Sequence, residues 1–120
     1  MTVKDSKTVD YISKSDDGST MSMIMVEDRP LDTAGIVNET VDKVNTYLAF
    51  LRDGQLVDFD EDAKTAKVRV QYNVLDDPES APQLMEVLAE AGEMFAKDGV
   101  EFRVRHFNFL DQMIEPVQRD

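Results

Sequence analysis

Asn38-Glu-Thr-Val-Asp-Lys-Val-Asn-Thr-Tyr-Leu-Ala-Phe-Leu-Arg-Asp-Gly54 and, a short way on, Lys67-Val-Arg-Val-Gln-Tyr-Asn-Val74 decide the fold of this chain. In and just before the first run, Val37, Val41, Val44, Leu48 and Leu51 recur at steps of four and three, which makes one apolar seam along a helix. Tyr47 and Phe50 lie beside the seam and widen it. Gly54 stands where a helix closes on a left-handed residue, a conformation glycine adopts without steric cost. The second run alternates polar and apolar with period two, the pattern of a strand with one face buried. A helix and a strand with one apolar side each must cover one another. The seam is regular enough to pair with its own copy in a dimer, but it is short for a coiled coil and a sheet is at hand to cover it.

Towards the N-terminus, Thr8-Val-Asp-Tyr-Ile-Ser13 reads as a first strand and Met21-Ser-Met-Ile-Met-Val26 as a second. Between them Lys14-Ser-Asp-Asp-Gly-Ser-Thr20 is turn chemistry, with Asp17-Gly18 the hairpin signal. Met21, Met23 and Met25 point to one face; methionine there is either an adaptable binding surface or core filler, and core is the commoner use. Glu27 to Thr33 is a loop whose Asp32 or Thr33 is placed to cap a first helix running from about Ala34 to Arg52.

On the other side, Asp58-Phe-Asp-Glu-Asp62 opens like a calcium loop, but Ala63 falls where that loop requires glycine and Arg69 where it requires glutamate. It is an acidic turn before the third strand. Ser80 and Gln83 have capping-box spacing and open a second helix, striped by Leu84, Val87, Leu88, Ala91 and Phe95 and closed by Gly99. Val100 to His106 is a fourth strand, with Val100, Phe102 and Val104 inward. The remainder, Phe107 to Asp120, is too apolar for a loose end, with Phe107, Phe109, Leu110, Met113 and Ile114. We expect a short extension packed on the domain or on a partner subunit.

The length of 120 residues suits one domain with its own core, and a 42% hydrophobic content is too high for a disordered chain. There is no cysteine, which excludes disulfides, thiolate metal sites and cysteine nucleophiles. Charges in the first seven residues and the lack of a long apolar run argue against a secretory leader and a membrane span, and for a cytoplasmic protein. A net charge of −12 disfavours nucleic acid and anionic lipid as partners. It leaves solubility, a basic protein partner, or mimicry of nucleic acid, in that order.

Val9-Asp-Tyr-Ile-Ser13 and Lys43-Val-Asn-Thr-Tyr-Leu-Ala-Phe-Leu-Arg-Asp-Gly-Gln-Leu56, with the alternating strand and a helix ending Gly99-Val-Glu-Phe102, resemble an uncharacterised bacterial family of unknown function. The resemblance spans roughly residues 3 to 105 and is best in the first helix. It implies this order of elements and a bacterial origin. The family has no established activity, so no site residue is carried over.

Chemistry is hard to find in the residues themselves. His106 is the single histidine and has no partner with zinc-ligand spacing. There is no nucleophile elbow and no phosphate-binding glycine loop. No cofactor and no metal are expected. Against the acidic background, Lys67, Arg69, Arg103 and Arg105 stand on the outward sides of the third and fourth strands. If both helices cover one face of the sheet, these four cations share the open face, where they either bind an acidic group or pair across strands with Asp10 or Glu101.

The expectation is therefore α+β, ββαβαβ, with two helices on one face of a four-stranded mixed sheet. Residues 1–106 form the domain and 107–120 the extension. We expect a non-enzymatic protein-interaction module, inhibitor- or immunity-like, with a basic partner or a second copy of itself. The alternative is a small-ligand-binding or enzymatic domain with a pocket near the Met-rich second strand. Contact candidates are Lys67, Arg69, Arg103, Arg105, Phe107 and Phe109.

Overall fold

A computed structural model describes residues 9–106. In chain order these form β1 (Tyr11–Lys14), β2 (Thr20–Glu27), α1 (Ile36–Arg52), α2 (Gln55–Phe59), β3 (Lys67–Val74), α3 (Pro82–Lys97) and β4 (Glu101–His106), with single 3₁₀ turns at Glu61–Lys64 and Pro78–Ser80. The sheet order is β1-β2-β3-β4. The β1–β2 hairpin is antiparallel, and β2–β3 and β3–β4 are parallel. Parallel neighbours need a crossover, and α1 and α3 supply the two. The expected ββαβαβ order and mixed sheet are present; α2, a single turn after Gly54, was not expected.

Alternation in β2 and β3 divides the sheet into two faces. Met21, Met23 and Met25 lie beside Val68, Val70 and Tyr72, and Val70 and Tyr72 lie beside Phe102 and Val104. This face packs with Val44, Tyr47 and Leu48 of α1 and Leu84, Leu88, Ala91 and Phe95 of α3 in one apolar cluster. Phe95 and Phe102 stack with ring centroids 5.4 Å apart. The methionines are core, at 0–1% exposure. Each buried side chain of this size contributes roughly 1.5–3 kcal/mol relative to staying in water.

The helix starts differ from expectation. α1 is preceded by Gly35 at φ 83°, with no side-chain cap, so neither Asp32 nor Thr33 caps it. The left-handed backbone there suits glycine and lets the loop enter the helix without a capping side chain. α3 follows Ala81, with Pro82 at its first position. The Ser80 hydroxyl bonds Asp77 O within the preceding 3₁₀ turn, so the Ser80–Gln83 capping box does not form. Proline at the first position replaces it, since its fixed φ suits a helix start. Gly54, at φ 77°, follows α1 as expected.

The buried stripe of α1 is rotated from the Val37–Leu51 seam. Val41 is exposed, while Ile36, Thr40, Lys43 and Tyr47 are buried. Two polar residues can face inward because partners meet them. The Thr40 and Tyr72 hydroxyls are 3.2 Å apart, and Lys43 Nζ is 2.7 Å from Asp10 Oδ1. The Tyr47 hydroxyl donates to Ile24 O and accepts from Asp10 N. Burial pushes both phenols above their ordinary pKa range, so they remain protonated donors.

Candidate functional site

The face of the sheet away from the helices follows from the same alternation. Three rows of side chains cross it: Ser13, Ser22, Arg69 and Glu101; Tyr11, Ile24, Gln71 and Arg103; and Val26, Asn73 and Arg105. Lys67 lies beside Thr20 at its edge. The four cations picked out by period two are thus brought together on one face. Phe107 and Phe109 lie outside the described residues.

Glu101 organises the cations. It takes Arg103 Nε at 2.8 Å, Arg69 Nε at 3.1 Å and Lys67 Nζ at 3.3 Å. Hydrogen bonds from Arg103, then from Arg69 and Lys67, outweigh desolvation and hold its carboxyl at about 2. Pairing across strands with Glu101 is therefore real, and among the described residues this one carboxylate meets three cations. Asp10 takes no part: it lies on the helix side of the sheet, buried with Lys43. Asp10 is two positions from Ile12 and so falls on the same side of the sheet, not on the open face where cross-strand pairing was expected. β1 starts at Tyr11, and register turns Ile12, beside Met23, towards the core.

Because Glu101 is depressed from 4.5, its contribution to stability is complete above about pH 4.5 and is lost as pH falls towards 2. A side chain that is 29% exposed is partly screened, so the contribution is at most ~1 kcal/mol. Urea midpoints of the wild type and Glu101→Gln should differ at pH 7, approach one another below about pH 4.5 and converge only near pH 2. A constant difference across that range would show that the charge of Glu101 does not matter.

Beside this cluster the face dips into an open basin of ≈ 360 Å³, lined by Ser13, Thr20, Ser22, Arg69 and Gln71 over a floor that includes Ile24, with Ser15 at its rim. Ser15 is occupied, donating to Asp17 and accepting Thr20 N. Gln71 is 6% exposed, and its amide has no hydrogen-bond partner among the described residues. Arg69 gives Nε to Glu101, and its terminal nitrogens make no hydrogen bond among the described residues. Sequence reading missed the basin. Period two placed Gln71 on this face, but nothing local announces that its amide will line a basin.

The other motifs have structural uses. Asp60 and Asp62, from the calcium-like stretch, hold Lys14 Nζ at 2.8 and 2.9 Å. His106 is exposed at the end of β4, beside Val74.

A model for a family of unknown function, DUF6572, matches residues 1–108. The chain belongs to that family. The resemblance read from the first strand and first helix thus reaches almost the whole chain, and the DUF6572 region includes every strand of the sheet and the whole cationic face. No curated protein and no solved structure matches the chain. Among the described residues no helix is long and apolar enough to cross a membrane.

Proposed function

We propose that this DUF6572 chain is a non-enzymatic protein-interaction module of the bacterial cytoplasm, inhibitor- or immunity-like, and that it meets its partner through the open face of the sheet and an acidic flank. The observation that carries this reading is the segregation of charge. Four of the chain's 13 Lys and Arg residues share one sheet face, with Glu101 the one carboxylate among the described residues there, in a chain of net charge −12. Other described cations pair off the face: Lys14 with Asp60 and Asp62, Arg29 with Glu27 and Glu39, Lys43 with Asp10, and Arg52 with Asp98. Asp42, Glu86, Glu90 and Glu93 are exposed on the helices. Such a flank steers a basic partner into encounter, and the cationic face then takes an acidic group from it. The same arrangement suits a second copy of the chain, with the flank of one against the open face of the other.

Capture from host lysate at low and high salt, together with oligomeric state at low salt, tests the reading. One stoichiometric partner, or a dimer, released by salt is the expected result. Arg69→Glu/Arg103→Glu is expected to abolish it. Partner capture and oligomeric state that are unchanged by the double reversal would remove the open face from the reading.

A further inference from the structure

We infer that the basin beside Arg69 is a preformed site for a single oxyanion, a carboxylate or a phosphate. The inference rests on the open face being the contact surface, and it names the chemistry that one part of that face receives. Three independent features converge on it. The first is a donor set: the terminal nitrogens of Arg69, the hydroxyls of Ser13, Thr20 and Ser22, and the Gln71 amide border the same ≈ 360 Å³ space. That volume lies in the range of small-ligand sites.

The second feature is Gln71. An amide without a protein partner at the edge of a cavity is a donor ready for a ligand. Gln71 is only 6% exposed and faces the basin, and its amide, which has no partner among the described residues, opens to the basin rather than being sealed in the protein. A ligand oxygen in the basin can therefore accept its N–H without any rearrangement of the sheet. The third is the fixing of Arg69. Glu101 holds Nε at 3.1 Å, and the side chain is only 15% exposed, so the planar group is anchored with its terminal nitrogens unbonded among the described residues. A guanidinium presented in this way suits an oxyanion, which accepts two parallel N–H bonds.

The charge balance selects an anion over a neutral polyol. Arg69 lines the basin, Lys67 and Arg103 stand beside it, and Glu101 is the one carboxylate in their midst among the described residues. The oxyanion has two sources, a free small anion or an acidic side chain of a bound protein, and the chemistry of the site is common to both.

The test is a titration of the ¹⁵N-labelled full chain at low salt with inorganic phosphate, with acetate, and with a short glutamate-rich peptide. Shifts centred on Ser13, Ser22 and the Gln71 side-chain amide are expected. Saturation by phosphate or acetate identifies a free anion, and saturation by the peptide alone identifies a protein carboxylate. Gln71→Leu should weaken binding about tenfold or more, the loss of one hydrogen bond to a charged group. Ser13→Ala/Ser22→Ala, at half-buried or exposed positions that leave the core alone, should weaken it as well. Peptide shifts spread over Lys67, Arg103 and Arg105 and insensitive to both variants would overturn the basin while leaving the open face as a contact surface. No shift on this face with any of the three probes would overturn both.

Discussion

Replacing Lys43 by methionine is expected to lower the unfolding free energy by about 3–5 kcal/mol, the cost of stranding one member of a buried ion pair. Both side chains are fully buried, with Lys43 Nζ 2.7 Å from Asp10 Oδ1. Asp10 Oδ2 already has no hydrogen-bond partner, so the carboxylate has nothing in reserve when the ammonium goes. Lys43 also sits 5.9 Å over the Tyr47 ring, whose hydroxyl ties Asp10 N to Ile24 O. Methionine matches the length of lysine and keeps the packing, so the loss reports the charge. A domain of this length has a total stability of roughly 5–15 kcal/mol, which makes the effect easy to read. The expected result is a lower urea midpoint with an unchanged slope. Lys43→Met/Asp10→Val, which removes both charges, should regain most of it, because apolar pairs replace buried ion pairs at little cost. A single variant within ~1 kcal/mol of wild type would mean that water reaches Asp10.

The same pair shows where sequence reading stops. The strand Lys67–Val74 was legible to the residue, because a period-two pattern depends only on neighbours. The four cations followed from the same rule and lie where it put them. The apolar seam of α1 also gave the helix, but its burial came out rotated. Thr40 and Lys43 face inward because Tyr72 and Asp10, 32 and 33 positions away, supply their partners. No local window contains that information. The helix starts were misread for a related reason: Asp, Thr and Ser signal caps wherever they fall, and here Gly35 and Pro82 took the role while the polar residues served turns. The short helix Gln55–Phe59 escaped notice because one turn is too short to show a period. Of the candidate site, the charges were readable and the basin was not. A cavity exists only once three strands are aligned, and the isolation of Gln71 is a property of that alignment.

The second large effect is expected at Arg29. Its guanidinium spans Glu27 with Nε–Oε2 at 2.9 Å and Nη2–Oε1 at 2.8 Å, and its remaining arm meets Glu39 Oε1 at 2.7 Å. This fork ties the end of β2 to the first turn of α1. Glu27 lies beside Val74 on the helix side of the sheet and is fully buried, so its charge depends on Arg29. Hydrogen bonds to Glu27, then to Glu39, push the Arg29 pKa above its ordinary value, so the arginine stays charged at any working pH. Arg29→Met should therefore cost about 3 kcal/mol, towards the lower end for a broken buried pair because Arg29 itself is partly exposed and its backbone N–H still reaches Glu27 Oε2 at 3.1 Å. Arg29→Lys keeps the charge but cannot span three oxygens from one planar group, and should lose about 1–2 kcal/mol. Arg29→Met/Glu27→Gln removes the stranded charge and should recover most of the stability of the single variant, leaving the lost tie to Glu39 as the residue of the effect. The order of urea midpoints, wild type above Arg29→Lys above Arg29→Met, with the double variant restored, distinguishes a charge that must be matched from a surface pair of little consequence. If Arg29→Met unfolds at the wild-type midpoint, Glu27 is hydrated, and the loop that leads into α1 is held by packing of Leu31 and Ile36 and by the bond from Leu31 N–H to Asp76 Oδ2.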